Sequence, residues 1–316
     1  MPKNVVSVDI GSRLIRLVQL SQASGKTYLE KVELVDNPVP NFRTPEGGAG
    51  KNEIIRVIRD SLKKGRIKVR DAVSSLGGPS NIIQYFSFPL FSGKELESAV
   101  HLEAQRVMGP KLNAMETDFQ VLSRNESGTG RQEILFAAVP KEMVSQRMDI
   151  LQGAGLNPIA VDVDCLALAN CFLRLKNLAP DEHVMVLNVG ARLISLGILG
   201  RDNLYFIRDI SLKLKGTLDF KEKSILDRAT GEIGRSIHYY QGKASGKNVA
   251  RIFLTGGAAV APETSDLLSK ALQIPVERWN PLENVEFDAD KLGAEFGKSQ
   301  GYLLAIAIGL ALREEG

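Results

Sequence analysis

Cysteine is nearly missing from this chain: Cys165 and Cys171 are the only two in 316 residues. They stand six apart in an apolar stretch, a spacing that matches no metal site, so buried thiols in a reducing compartment are expected. Histidine is as scarce, with His101, His183 and His238 scattered in no ligand pattern. An excess of charge is lacking too, since 40 basic residues face 37 acidic ones for a formal net charge of +3. A nucleic-acid binder usually carries a stronger basic bias, so no nucleic-acid partner is expected. RIKVR (Arg66 to Arg70) alternates basic and apolar residues but has no aromatics for stacking, and reads as a strand with a solvated face. No run of hydrophobic residues approaches the ~20 needed to span a bilayer; YLLAIAIGLAL, from Tyr302 to Leu312, is the longest. No signal peptide is legible at the start. These absences lead us to expect a cytoplasmic protein that meets a membrane only through a partner.

What is present is the composition of a soluble globular protein, 44% hydrophobic and 24% charged, with length for one large domain or two ordinary ones. The chain also contains one motif twice. VVSVDIGSRLIRLVQL begins at Val5, and VMVLNVGARLISLGIL begins at Val184. Seven of the sixteen positions are identical, among them Gly11/Gly190, Arg13/Arg192 and Leu14/Leu193. Asp9 in the first copy is Asn188 in the second.

Alternation predicts two strands joined by a tight turn in each copy. Elsewhere the pattern predicts a strand over Tyr28–Val35, a Pro/Gly-rich loop over Pro38–Gly50 and a helix over Asn52–Lys64. Strand, helix, two strands and helix follow between Asn81 and Leu151, as a compact insert. A strand over Pro158–Val163 then leads to an apolar helix over Cys165–Leu175. After the second copy come a strand over Leu204–Ile210, a helix over Ser224–Gln241, and a strand over Ile252–Leu254 running into TGGAAV. A helix over Glu263–Ala271 and a final helix over Gly301–Arg313 close the chain.

A strand-turn-strand with Asp-x-Gly at its turn suits a phosphate. The glycine lets the backbone approach an anion, and successive turn N–H groups form an anion-binding concavity. An aspartate there can hold Mg²⁺ through water. One such turn is ordinary hairpin chemistry, and glycines after a strand are ordinary connections. Two copies plus the Gly256-Gly257 turn point instead to two related half-domains clamping a nucleotide. The candidate nucleotide-binding residues are Asp9, Gly11 and Ser12 in the first turn, Asn188, Gly190, Ala191 and Arg192 in the second, and Gly256 and Gly257 facing the adenosine, with Asp9 as the candidate Mg²⁺ residue. Arg192 suits a phosphate, or equally a place in the cleft against Asp9.

This set resembles the actin, Hsp70 and sugar-kinase superfamily: VDIGS resembles its first phosphate motif, LNVGA the second and IFLTGGAA the adenosine motif. Within it, SVDIGSRLIRLVQL, ELESAVHLEAQRV, FAAVPKEMVSQRMDILQGAGLNPIAVDVDCLALAN, FIRDI, GEIGRSIHYYQ and YLLAIAIGLALR are similar, in order, to the PilM family of actin-like type IV pilus assembly proteins, relatives of FtsA. The resemblance implies an α/β, actin-like (ribonuclease-H-like) pair of duplicated domains with a PilM/FtsA-type 1C insert. Residues 1–80 would begin the first half and 81–155 form the insert. Residues 156–182 and 298–316 would complete the first half with the connecting helices, and 183–297 would form a shortened second half. The resemblance also implies binding of the N-terminal peptide of a PilN-like membrane protein, in a groove between the insert and the first half, within a pilus assembly platform, with homo-oligomers a further option.

The chain departs from the superfamily where chemistry would be done. An amide at Asn188 supplies neither metal charge nor a base, and the segment SLKLKGTLDFKEKSILDRAT after Ile210 is short for a nucleotide pocket. ATP with Mg²⁺ is therefore expected to bind weakly or not at all, with no catalytic residue. Two other readings compete. An active ATPase or sugar kinase would usually need an Asp base, and often a Cys-rich zinc motif. An FtsA-like membrane filament would need a terminal amphipathic helix, whereas the sequence stops at LREEG.

Overall fold

The computed structural model describes residues 4–40, 50–125, 130–201, 203–212, 218–243, 247–292 and 296–313. Most of the Pro38–Gly50 loop, and parts of the RNESGTGRQ loop and of the segment after Ile210, lie outside them.

In chain order the first elements are β1 (Val6–Ile10), β2 (Leu14–Ala23), β3 (Lys26–Asp36), α1 (Lys51–Lys64) and β4 (Asp71–Leu76). Next come β5 (Ile82–Pro89), α2 (Gly93–Met108), β6 (Met115–Asn125), β7 (Arg131–Pro140) and α3 (Lys141–Gly153). They are followed by β8 (Asn157–Val163), α4 (Asp164–Leu175), β9 (Val184–Val189), β10 (Leu193–Leu199) and β11 (Leu204–Ser211). The last are α5 (Lys223–Lys243), β12 (Arg251–Thr255), α6 (Glu263–Leu272), β13 (Val276–Arg278), β14 (Glu286–Phe287), α7 (Ala289–Leu292) and α8 (Ala305–Ala311). The closing helix is shorter than its apolar run, because a 3₁₀ turn over Gly301–Leu304 precedes α8.

Among the described residues these strands form three sheets, ordered β14-β3-β2-β1-β4-β8, β11-β10-β9-β12-β13 and β5-β7-β6. The first two share one plan. Each starts from an antiparallel meander, β1-β2-β3 or β9-β10-β11, and adds a parallel strand beside its first member, β4 or β12. The duplicated motif is thus a duplicated half-domain. Its strands are continuous hydrophobic runs because both faces are covered: Val6, Val8 and Ile10 are fully buried, as are Val184, Val186 and Val189. The helix α8 packs on β1, β2 and β4, α4 packs on β9, β10 and β11, and the two helices pack on each other.

RIKVR is not a strand. Residues 66–70 form no regular element, and the strand is the next six residues, β4. Its DAVSSL sequence looks polar because two buried serines are there to make hydrogen bonds: Ser74 Oγ donates to the Val8 carbonyl, and Ser75 Oγ donates to Asp164 Oδ1 at 2.7 Å. Buried hydroxyls with partners carry little penalty, so a central strand can hold them.

The chain divides into two compact units. One holds residues up to Gly78 and from Arg147 onward, and the other is Pro79–Gln146. The second consists of the three-stranded sheet with α2 on one face. Its core joins Leu96, Val100 and Ala104 of the helix to Phe86, Ile134 and Phe136 of the sheet. The expected insert over 81–155 runs further than this unit, because the end of α3 belongs elsewhere: Ile150 and Leu151 are fully buried with Ile54 and Ile58 of α1 in the core of the first unit.

Candidate functional site

The first turn is built by β1 and β2. The backbone N–H of Gly11 donates to the Leu14 carbonyl at 2.9 Å, and Asn37 Nδ2 donates to the Gly11 carbonyl at 2.6 Å. Ser12 lies half-buried beside them. In this antiparallel register Asp9 stands opposite Arg16. Arg16 Nη1 donates to Asp9 Oδ2 at 2.8 Å, and both are inside, with side-chain exposures of 14% and 2%. The same guanidinium nitrogen fills the notch over Gly11, only 2.9 Å from where a β-carbon would sit.

The second turn repeats this backbone. Gly190 N–H donates to the Leu193 carbonyl, again at 2.9 Å, and Asn188 stands opposite Ser195. Ala191 is tied down from outside the hairpin, since its carbonyl accepts from Leu218 N–H at 2.8 Å. Arg192 is half-buried.

The Gly256-Gly257 turn meets the second turn directly. Because β12 runs parallel to β9 with Thr255 beside Asn188, Gly256 lands against Asn188 and Val189. A β-carbon on Gly256 would be 2.6 Å from Asn188 Oδ1 and 2.7 Å from the Val189 carbonyl, and φ there is +85°. Only glycine suits that place. Gly256 N–H and Thr255 Oγ1 both donate to the Tyr302 carbonyl, at 2.8 and 3.0 Å, fastening the turn to the segment that leads into α8.

Sequence reasoning missed a buried polar network beside the first turn. Arg147 is 2% exposed, and its Nη1 donates to Ser74 Oγ at 2.7 Å and to the Ser75 carbonyl at 2.6 Å. Ser75 passes the network on to Asp164, buried in the first turn of α4. Asp209 of β11 accepts from Gly78 N–H at 3.0 Å, tying the second sheet to the loop after β4. In the sequence Arg147 is one charged residue among several in its helix and Asp164 directly precedes the apolar helix, so neither position by itself signals a buried partner. Arg16 was the more legible omission, because a two-strand hairpin closing at Gly11 puts it across from Asp9.

The cysteines are inert here. Burial pushes both thiols up, Cys165 helped by Asp209, Asp164 and Asp162. Among the described residues no cluster of three or more His, Cys, Asp or Glu side chains is placed to hold a metal ion, and no helix is long and apolar enough to cross a membrane. Mg²⁺ seeks several oxygen ligands and keeps its water. The first turn instead presents Asp9 to a guanidinium, and the second presents a neutral amide. These residues do not fit a divalent cation.

Comparison with known proteins gives one family. The family described as type IV pilus assembly protein PilM matches residues 7–215 and 223–315. Among solved structures, a PilM–PilN type IV pilus biogenesis complex aligns with a TM-score of 0.85 at 24% identity, covering 99% of each chain. The cytoplasmic domain of EpsL, an inner-membrane component of the Vibrio cholerae type II secretion system, aligns at 0.51 with 11% identity, over 99% of this chain and 96% of that one. A Bacteroides thetaiotaomicron protein with an actin-like ATPase fold and unknown function also aligns at 0.51 with 11% identity, over 96% of both chains. The fold is actin-like, and the duplicated half-domains agree with it.

Proposed function

The chain belongs to the PilM family of type IV pilus assembly proteins, and on that premise we propose that it serves as a scaffold of the assembly platform and not as a nucleotide-turnover enzyme. The observation that carries this reading is the pair of turns: Asp9 is engaged by Arg16, and its counterpart is the amide of Asn188. Neither turn supplies what phosphoryl transfer asks for, a metal ion and a base or water-positioning group. ATP binding is weak or lacking in this proposal, and hydrolysis is negligible.

The partner we propose is the cytoplasmic N-terminal peptide of a PilN-like inner-membrane protein, through which this chain is held at the cytoplasmic side of the membrane. The solved relative described as a PilM–PilN type IV pilus biogenesis complex supports that choice. The second compact unit supports the mode. In its sheet β5 and β6 are edge strands, and among the described residues neither pairs with a further strand. An extended peptide can add to such an edge by main-chain hydrogen bonds, with alternate side chains giving specificity.

The test is fluorescence polarisation with the labelled N-terminal peptide of the PilN-like protein encoded in the same organism. The intact chain should bind it equally with and without ATP and Mg²⁺. A variant lacking residues 79–146 should not bind. The cut must stop before Arg147, since Arg147, Ile150 and Leu151 are buried in the other unit. Undiminished binding by the shortened protein, with its fold confirmed by circular dichroism, would remove the edge strands from the proposal.

A further inference from the structure

We propose that Arg16 is a built-in replacement for a divalent cation at Asp9, so that the first turn admits no Mg²⁺, Mn²⁺ or Ca²⁺. This goes beyond partner docking and stands whether or not that reading holds.

Three observations carry it. The first is position: Arg16 Nη1 is 2.8 Å from Asp9 Oδ2 and also occupies the notch over Gly11, where the turn would otherwise be open. The second is burial. Asp9 is 1% exposed and the Arg16 side chain 14%, so an ion arriving there would have to displace a largely buried guanidinium from its carboxylate. Like charges in a low-dielectric site repel strongly.

The third is an internal control. The two hairpins share their backbone, with the same Gly N–H bonded to the same Leu carbonyl at 2.9 Å. At the position facing Asp9 the first carries Arg16, and at the position facing Asn188 the second carries Ser195. The carboxylate and the guanidinium are present together in one half and missing together in the other. That is the pattern of a neutralising pair.

The test is a Mn²⁺ titration followed by electron paramagnetic resonance on the full chain. The wild type should show no Mn²⁺ binding that depends on Asp9. Arg16→Gln, which leaves a neutral side chain of similar length, should gain one Mn²⁺ site, at least about tenfold tighter than any Mn²⁺ binding by the wild type. Asp9→Asn with Arg16→Gln should lose that gain. Because Arg16→Gln strands a buried carboxylate and is at risk of not folding, Asp9→Asn with Arg16→Ser supplies a second comparison. It repeats the pair the second turn already accommodates. If the wild type binds Mn²⁺ and this double variant does not, Asp9 holds metal with Arg16 in place and the proposal is overturned. Equal behaviour of the two supports it. A folded Arg16→Gln protein with no gain in Mn²⁺ binding would also overturn it.

Discussion

Gly309 of α8 lies so close to Ala167 of α4 that a β-carbon on the glycine would fall 1.8 Å from the Ala167 carbonyl oxygen. The two helices are joined at that point with no room for a methyl group. Since α8 packs on the first sheet and α4 on the second, their spacing fixes how the two duplicated halves are joined. Gly309→Ala should force the helices apart. Overpacking of this kind costs roughly 1–3 kcal/mol, which in a chain of this size lowers the melting temperature by several degrees. Trp279, the only tryptophan, is 1% exposed and lies 4.9 Å from the ring of Phe172 on α4, so its emission should report the shift. A variant that melts like the wild type would show that the contact yields more easily than its geometry implies.

Arg147 should matter for stability far more than a helix-surface arginine. Removing it leaves Ser74 and the Ser75 carbonyl without their charged donor in a dry site. Hydrogen bonds to charged groups contribute about 1.5–3 kcal/mol, and Arg147→Met should lose roughly that much in urea unfolding. Lys94, exposed in the first turn of α2, is the control: Lys94→Met should change stability little. Similar losses from both would contradict the network's role.

His183 should make the protein less stable in mild acid. Its ring is stacked on Tyr205 at 4.6 Å, bonded to the Tyr240 hydroxyl, and has Lys247 Nζ 3.4 Å from Nε2. Burial, followed by the Lys247 charge, holds its pKa below the usual histidine value, while burial pushes the Tyr240 hydroxyl up to about 12. The folded state therefore keeps His183 neutral where the unfolded chain, with a pKa of about 6.5, already binds a proton. The contribution is complete above about pH 6.5 and is lost as pH falls through the lower folded value. Melting temperatures measured from pH 8 to pH 5 should fall more steeply for the wild type than for His183→Phe. Parallel curves would exclude His183 as a source of the acid sensitivity.

Steady-state ATP turnover should fall far short of the order of 1 s⁻¹ common among enzymes. Asn188→Asp should not raise it, because the restored carboxylate would still lack a metal partner in the first turn, where Asp9 is engaged by Arg16. A phosphate-release assay on both proteins checks this. A rise of about 10²-fold, the scale of one well-placed electrostatic group, would show that the pocket is intact and that Asn188 alone silences it.

Much of the fold was determined by the sequence alone. The seven matched positions of the two copies set two hairpins with one backbone, because turn closure at Gly11 and Gly190 and the burial of alternate and continuous apolar residues are decided within about sixteen residues. The compact insert, the connecting helices and the position of the Gly256 turn after a buried strand were legible for the same reason. The tertiary structure alone decided the rest. It made a strand of DAVSSL, whose serines find partners on β1 and α4. It drew the end of α3 into the first unit's core, pressed Gly256 onto Asn188, and left Gly309 no space for a side chain. Each of these depends on what a distant segment places beside the residue. Local periodicity carries the signal for burial and turns, but a buried polar partner or a close helix crossing leaves almost no trace in the sequence around it.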